Sequence, residues 1–131
     1  MLNPKKKGIG IFGGSFDPPH KGHVAISKIS FRKLRIKKVL WIITKKNPFK
    51  KKAYFSLQER ILKSNKLTKK YKFIDILHLE DKIKSSRTID IVNYFTKIKK
   101  QKDLYLILGS DNLLKFHKWT SWKKIVKLTK L

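Results

Sequence analysis

The sequence predicts an α/β protein in which helices pack on a parallel β-sheet. Short apolar runs alternate with amphipathic segments, so that strand and helix patterns follow one another four times along the chain. The strand-like runs are too continuously apolar to leave one face in water, which is typical of parallel strands. Segments containing glycine, histidine or lysine come directly after these runs, at the edge where open parallel sheets bind ligands.

The first strand–helix unit lies near the start of the chain. Residues 8–13 form an apolar run with the length of a buried strand, and a turn over residues 14–19 follows it. Residues 21–34 are predicted to form an amphipathic helix. Its apolar stripe comprises Val24, Phe31 and Leu34, with Ile26 and Ile29 beside it.

The second unit begins with a strand over residues 38–44, which is followed by a loop rich in lysine and proline. Ser56 is a suitable N-cap for the next helix, because Glu59 stands at the capping-box position three residues later. The predicted apolar face of this helix comprises Leu57, Ile61 and Leu62.

The second half of the chain continues the alternation of strand and helix. A strand is predicted over residues 73–79, and a helix over residues 88–99 with Ile91, Phe95 and Ile98 on one face. The remaining predicted elements are a strand over 104–108, helices over 111–116 and 121–126, and the start of another strand over 126–131. Right-handed crossovers would join these strands into one parallel sheet.

Length and composition narrow the class of protein. A chain of 131 residues suits one domain, which we place over residues 1–131. The absence of cysteine excludes a disulfide scaffold, thiol catalysis and zinc sites built on thiolates. No apolar run approaches the roughly 20 residues that cross a bilayer. Glycines interrupt the first apolar stretch, which is not typical of a signal peptide. We therefore expect no membrane association and a cytoplasmic location.

The charge of the chain is strongly positive, with 34 Lys+Arg against 8 Asp+Glu and a net charge of +26. Such a balance ordinarily suggests nucleic acid or another anionic partner. Only four of these cations are arginine, however, and the lysines are spread over the whole chain. Arginine is the residue that favours base-edge readout and bidentate phosphate binding. We therefore expect no specific nucleic-acid partner, and a lysine-rich, non-catalytic nucleic-acid-binding domain remains the alternative from a different class.

Two glycine-rich motifs overlap near the amino terminus. Residues 8–13 satisfy G-x-G-x-x-G, but these glycines lie within the predicted strand and no acidic residue follows at the required distance. This excludes a dinucleotide fingerprint. Residues 13–23, GGSFDPPHKGH, are more informative, because paired glycines at a strand end expose backbone N–H groups to a phosphate. His20 and His23 can both project from the first helical turn towards one anion, and Gly22 would leave its approach open. Asp17 is expected to fix the turn and cap the helix.

These residues resemble the signature G-G-x-F-D-P-x-H-x-G-H of the HxGH nucleotidyltransferase superfamily, in particular its nicotinate-nucleotide adenylyltransferase branch. The resemblance continues over nearly the whole chain. Residues 41–50 (WIITKKNPFK) are similar to the second strand and loop of the branch, and residues 86–90 (SRTID) to its S-Y-T-x-D-T segment. Residues 108–119 are similar to its G-x-D-x-L…W block. The resemblance implies a Rossmann-like parallel sheet and transfer of AMP from ATP to nicotinate mononucleotide, giving deamido-NAD and pyrophosphate in NAD biosynthesis.

On the ATP side, the resemblance implies that His20 and His23 hold the phosphates and stabilise the transition state. The backbone at Gly13, Gly14, Ser15 and Phe16 would line the nucleotide site, and Lys50 would meet phosphates. The sequence offers no cluster of carboxylates for a resident metal, so Mg²⁺ is expected to arrive with ATP.

On the mononucleotide side, the resemblance implies that Thr88 holds the pyridine carboxylate and Asp111 the ribose side. Trp119 would stack on the pyridine ring, and Gly109 would lie beside the mononucleotide. His78 and His117 are interpreted as structural or surface residues. Another HxGH enzyme, such as a pantetheine-phosphate adenylyltransferase, remains the alternative within the superfamily.

The sequence departs from the pattern of the branch in three places. Arg87 stands where the branch has tyrosine, and Thr120 follows Trp119 where a tyrosine often occurs. The serine/threonine-rich segment I-S-S-T-x-x-R, expected in a C-terminal continuation, has no match in the 131 residues. We therefore expect an incomplete ATP site. The sequence determines neither the activity of these 131 residues nor their oligomeric state.

Overall fold

The computed structural model describes residues 7–45, 54–85, 87–101, 103–109 and 114–130. The strands are β1 (Ile9–Gly14), β2 (Lys38–Ile43), β3 (Ile74–Leu77) and β4 (Leu104–Ile107). The α-helices are α1 (Lys21–Leu34), α2 (Leu57–Thr68), α3 (Glu80–Ile83), α4 (Thr88–Asn93) and α5 (Trp122–Leu128). A π-helical turn (Tyr94–Ile98) continues α4, and a 3₁₀ turn (Phe116–Lys118) precedes α5. Within the described ranges, no helix is both long and apolar enough to span a bilayer.

The four strands form one parallel sheet in the order β3-β2-β1-β4, which confirms the predicted fold class. β1 is central, with Gly14 opposite Ile43 of β2 and Phe12 opposite Ile107 of β4. The carboxyl ends of β1, β2 and β4 therefore meet along one edge, where the motif over residues 13–23 begins.

Buried apolar side chains cover both faces of the sheet, as the continuously apolar strands require. Consecutive residues of one strand point to opposite faces, so Ile11 and Phe12 belong to different clusters. One cluster joins the sheet to α4 and α5 and includes Ile42, Val92, Leu104 and Ile125. The other joins it to α1 and α2 and includes Val24, Val39, Trp41 and Ile43.

The predicted apolar stripe of α1 is only partly correct. Val24 is buried and Phe31 half-buried, but Ile26, Ile29 and Leu34 are exposed. The inward face carries Ser27 instead, whose hydroxyl accepts a hydrogen bond from Trp41 Nε1 at 2.8 Å and donates one to the His23 carbonyl at 2.8 Å. Because a satisfied serine can replace an apolar residue in a core, a pattern based on hydrophobicity misplaces this face.

The predicted apolar face of α2 is also wrong in part. Leu57 and Ile61 are half-buried, whereas Leu62 is 70% exposed. The fully inward positions carry polar residues: Arg60, Ser64 and Thr68. The Thr68 hydroxyl donates to the Ser64 carbonyl at 2.8 Å, so the helix satisfies this polar group internally.

The C-terminal half differs from the prediction in phase. The π-helical turn after Asn93 changes the rotation per residue, and Ile98, predicted to face the core, is 69% exposed. Residues 126–128 continue α5 instead of starting a strand. The predicted strand begins later, where Lys130 pairs with Tyr105 in a parallel bridge. Half of the helix predicted over residues 111–116 falls on residues 111–113, which lie outside the described residues, while residues 114 and 115 are helical and Phe116 begins the 3₁₀ turn.

Candidate active site

The predicted phosphate-binding segment lies at the carboxyl edge of the sheet. Gly14 is the last residue of β1, and its carbonyl accepts the backbone N–H of Thr44, directly after β2, at 2.9 Å. A Cβ added at Gly13 or at Gly109, after β4, would meet no atom of the described residues within 4 Å. Both glycines therefore border open space at neighbouring strand ends, which leaves room for a ligand against bare backbone.

His20 and His23 lock each other at the start of α1. His20 is the N-cap, and its Nδ1 accepts the backbone N–H of Gly22 at 3.1 Å. Nδ1 of His23 in turn accepts the backbone N–H of His20 at 3.0 Å. Because both Nδ1 atoms act as acceptors, each neutral ring carries its proton on Nε2. The rings stack with centroids 3.9 Å apart and present a pair of Nε2–H donors at a helix N-terminus.

Gly22 is required for this arrangement. A Cβ at position 22 would lie 2.8 Å from Cε1 and 2.9 Å from Nδ1 of His20. We expected Gly22 to keep the approach of a ligand open; the structure gives a different reason, which is the space needed by the His20 ring itself.

Three aromatic side chains pack against the His23 ring. Its centroid lies 4.6 Å from Phe16, 5.7 Å from Phe12 and 5.8 Å from Trp41, and all three of these residues are buried. This burial, together with the nearby His20, lowers the pKa of His23 from 6.5 to about 4. His23 is therefore neutral at pH 7 and acts there as a hydrogen-bond donor of fixed tautomer.

The loop between β1 and α1 has an unusual backbone at Phe16. This residue is only 3% exposed and has φ of 49°, a left-handed conformation that is uncommon for a bulky side chain. Its ring stacks on Trp41 at 4.7 Å with an interplanar angle of 14°. The strained backbone thus places the ring in contact with both Trp41 and His23, and burial of the ring offsets the strain.

Asp17 holds this loop against the segment before α2. Its two carboxylate oxygens accept the backbone N–H groups of Tyr54 at 2.6 Å and Phe55 at 2.9 Å. The expectation that Asp17 caps α1 is therefore wrong, since His20 takes that position. A carboxylate that accepts two backbone donors fixes the relative placement of the two segments.

Of the residues expected to bind the mononucleotide, Thr88 precedes β4 in the chain, and Gly109 and Trp119 follow it. Thr88 is the half-buried first residue of α4, and Arg87 before it forms an ion pair with Asp90 at 2.9 Å. The Ser85 hydroxyl donates to Asp90 at 2.6 Å and, with the Arg87 guanidinium, lowers the pKa of that carboxyl. Where the branch has tyrosine, this chain thus has an arginine already engaged by an acid.

Trp119 is half-buried and packs against the apolar cluster that joins the sheet to α4 and α5. Its ring meets the ring of Phe116 edge-on, with the two centroids 5.2 Å apart. Trp119 lies three residues before α5, which packs on α4, so Trp119 and Thr88 belong to segments that cover the same face of the sheet. Part of the indole therefore serves as core, and the exposed part is what could meet a ring of a ligand. Asp111 and Lys50, also predicted to be site residues, lie outside the described residues.

The two remaining histidines are a structural and a surface residue. Nδ1 of His78 forms a hydrogen bond with the Ile43 carbonyl at 2.8 Å, and the His117 side chain is exposed. No group of three or more His, Cys, Asp or Glu side chains that could hold a metal occurs among the described residues. The sequence interpretation missed Ser27 and Trp41 as supports of His23; an apolar strand containing a tryptophan, whose buried N–H needs a partner, was the available signal.

Comparison with known protein families gives a match over most of the chain. The family described as cytidylyltransferase-like matches residues 11–131. A probable nicotinate-nucleotide adenylyltransferase of Pelagibacter ubique is 48% identical over 126 residues, covering 96% of this chain and 69% of the relative. The probable nicotinate-nucleotide adenylyltransferase of Nitratiruptor sp. is 40% identical, over 92% of this chain and 68% of the relative. That of Rhizobium meliloti is 33% identical, over 90% of this chain and 63% of the relative. The chain thus spans about two thirds of the curated relatives it matches.

Solved structures of the same arrangement are known. A putative nicotinate-nucleotide adenylyltransferase from Vibrio parahaemolyticus matches with a TM-score of 0.79 at 21% identity, over 95% of this chain and 74% of that one. Plasmodium falciparum nicotinic acid mononucleotide adenylyltransferase, solved in complex with NaAD, matches with a TM-score of 0.75 at 25% identity. This second match covers 92% of this chain and 60% of the other. The parallel sheet and its helices are therefore shared with these nucleotidyltransferases.

Proposed function

The chain belongs to the cytidylyltransferase-like family, and we propose that it transfers the adenylyl group of MgATP to nicotinate mononucleotide. A phosphate oxygen of the mononucleotide forms a bond to the α-phosphorus of ATP, and the bond from that phosphorus to the bridging oxygen of the β-phosphate breaks. The products are deamido-NAD and pyrophosphate. The similarity to named nicotinate-nucleotide adenylyltransferases supports this acceptor over the others used in the superfamily.

The observation that carries the proposal is the pair of locked imidazoles. Two Nε2–H donors at a helix N-terminus, beside glycines that border open space, suit an anion such as a triphosphate. His20 and His23 bind the phosphates and stabilise the charge that develops as pyrophosphate leaves. Because hydrogen bonds within the protein already fix their tautomers, no reorganisation is needed during the reaction.

The reaction requires no general base. The attacking phosphate oxygen is already ionised at neutral pH, so catalysis rests on positioning and on stabilisation of charge. One preorganised donor of this kind contributes on the order of 10²–10³ to the rate, and the aromatic side chains packed against His23 keep its donor in place.

The remaining residues divide between the two substrates. Backbone groups of Gly13, Gly14, Ser15 and Phe16 line the ATP side, where Lys50 is proposed to meet phosphates. Thr88, Gly109, Asp111 and Trp119 are proposed to contact the mononucleotide. Mg²⁺ enters as part of MgATP and neutralises charge on the phosphates that it accompanies.

The test is an adenylyl-transfer assay on the protein expressed from its complete gene. ATP labelled at the α-phosphate is offered with nicotinate mononucleotide, nicotinamide mononucleotide, 4′-phosphopantetheine or glycerol phosphate, and the labelled product and pyrophosphate are measured. The expected result is equimolar pyrophosphate and deamido-NAD, with nicotinate mononucleotide the preferred acceptor. Preference for a non-pyridine acceptor would overturn the assignment to this branch, and the absence of product with every acceptor would overturn the reaction.

A further inference from the structure

Arg60 is buried, and no acidic side chain of the described residues pairs with it. It is the fourth residue of α2, only 1% exposed, and none of the ion pairs of the described residues includes it. Within the part of the chain that the structure describes, every bond from its guanidinium goes to a backbone carbonyl. Nε bonds to Phe55 at 3.1 Å and Ser56 at 3.3 Å, Nη1 to Ser15 at 2.8 Å and Thr44 at 2.6 Å, and Nη2 to Lys45 at 2.6 Å.

These carbonyls belong to three segments that are distant in sequence. One lies in the loop between β1 and α1, one directly after β2, and one at the entrance to α2. A planar guanidinium carries five N–H donors on three nitrogens and here makes five bonds to these segments, whereas a lysine ammonium has three donors on a single nitrogen. Burying an arginine without a counter-ion is costly, and it is tolerated here because carbonyl dipoles surround the charge.

The joined segments are those that shape the candidate phosphate site. Ser15 lies between Gly14 and Phe16, whose ring supports His23. The Thr44 N–H donates to the Gly14 carbonyl, so the two Arg60 contacts reach both strand ends beneath the site. Together with the bonds from Tyr54 and Phe55 to Asp17, Arg60 closes a ring of contacts around the loop that follows β1.

We propose that Arg60 is a positioning residue, which sets the geometry of the phosphate side of the site by holding Ser15 and Thr44 against the start of α2. It acts through these backbone segments and does not touch a substrate, because its guanidinium is enclosed. This role deepens the proposed function and rests on it for its kinetic consequence. The mononucleotide side, carried by α4 and the segment before α5, has no contact with Arg60 among the described bonds.

The experiment compares Arg60→Met and Arg60→Lys with the matched control Arg32→Met, which removes an exposed arginine from the last turn of α1. Amide hydrogen exchange is measured by NMR under native conditions. In Arg60→Met, exchange at Thr44, Tyr54 and Phe55 should accelerate at least tenfold, while exchange is unchanged at the buried Val39, whose N–H donates to the Phe73 carbonyl at the start of β2. Arg60→Lys, which keeps a charge and some donors, should give an intermediate effect and covers the case in which Arg60→Met fails to fold.

Steady-state kinetics supply the second readout. In both Arg60 variants the KM for ATP should rise at least fivefold and kcat should fall about tenfold to a hundredfold, while the KM for nicotinate mononucleotide stays within twofold. Arg32→Met should match the unmodified protein. An inactive unmodified protein would refute the proposed function but leave the exchange pattern as the test of Arg60. Equal acceleration of all amides, unchanged exchange at the three loop amides, or parallel changes in both KM values would overturn the positioning role.

Discussion

The lowered pKa of His23 predicts a specific loss of stability in mild acid. In the unfolded chain this imidazole has its ordinary pKa of 6.5, whereas in the folded protein it is about 4. Between these values the unfolded state binds more protons than the folded state, so the free energy of unfolding falls as the pH is lowered through this window. The contribution is fully present above pH 6.5 and is lost on acidification.

The size of the effect follows from the two pKa values. Between pH 7.5 and pH 5 the linkage relation gives a loss of about 2 kcal/mol for a group with these values. His23 is only half-buried, and screening by solvent reduces this upper limit to about 1 kcal/mol. A change of that size shifts the midpoint of urea denaturation measurably, since the slope is typically about 1–3 kcal/mol per molar urea.

The assay isolates His23 by comparing variants. His23→Asn keeps an acceptor for the His20 N–H but cannot titrate, and His117→Asn removes an exposed histidine as the control. Urea denaturation at pH 7.5 and pH 5 should show that the unmodified protein and the control lose about 1 kcal/mol more than His23→Asn. An equal pH dependence in all three proteins, or an NMR titration midpoint of His23 near 6.5, would refute the burial argument.

Three further predictions follow from the structure. Replacing either histidine of the capping pair by asparagine should lower kcat of adenylyl transfer by about 10²–10³ with little change in Tm, because one Nε2–H donor is lost and the cap is kept; near-normal turnover in both would reduce them to caps. Ser27→Ala should lower the free energy of unfolding by about 1–3 kcal/mol in urea denaturation, because the buried Trp41 Nε1–H loses its acceptor, and a change below about 0.5 kcal/mol would contradict this. Gly8→Ala should cost at least about 1 kcal/mol in the same measurement, since Gly8 has φ of 81° and an added Cβ would lie 2.5 Å from the Asp103 carbonyl oxygen; an unchanged midpoint would be inconsistent with that geometry.

The strands, and the placement of residues 13–23 at the carboxyl edge of the sheet, could be predicted from sequence because both depend on local signals. An apolar run such as the one at residues 38–44 can only be buried on both faces, and parallel order then brings the strand ends together. The observed strand, Lys38–Ile43, differs from this prediction by one residue. The pair His20 and His23 was identifiable from its spacing and from the glycines before it.

The supports of the site could not be predicted, because they depend on partners distant in sequence. Hydrophobicity predicts that a charged residue such as Arg60 faces solvent, but its side chain faces inward. Its partners are backbone carbonyls, which every residue type carries and which a sequence pattern therefore does not reveal. Ser27 likewise becomes a core residue only because Trp41 lies opposite. The fixed tautomers of the histidines arise from backbone N–H groups in the cap, which sequence spacing alone does not reveal.

We propose above that His20 and His23 present their Nε2–H groups to the phosphates of a nucleotide. Imidazole nitrogen NMR of the uniformly labelled protein at pH 7, with and without MgATP, tests this claim without requiring turnover. We expect both rings to have a bare Nδ1 and a protonated Nε2, as their hydrogen bonds require. Added MgATP should shift both Nε2 signals along one saturation curve while the exposed His117 does not move. Protonated Nδ1 atoms in the free protein, or Nε2 signals unaffected by saturating MgATP, would contradict it.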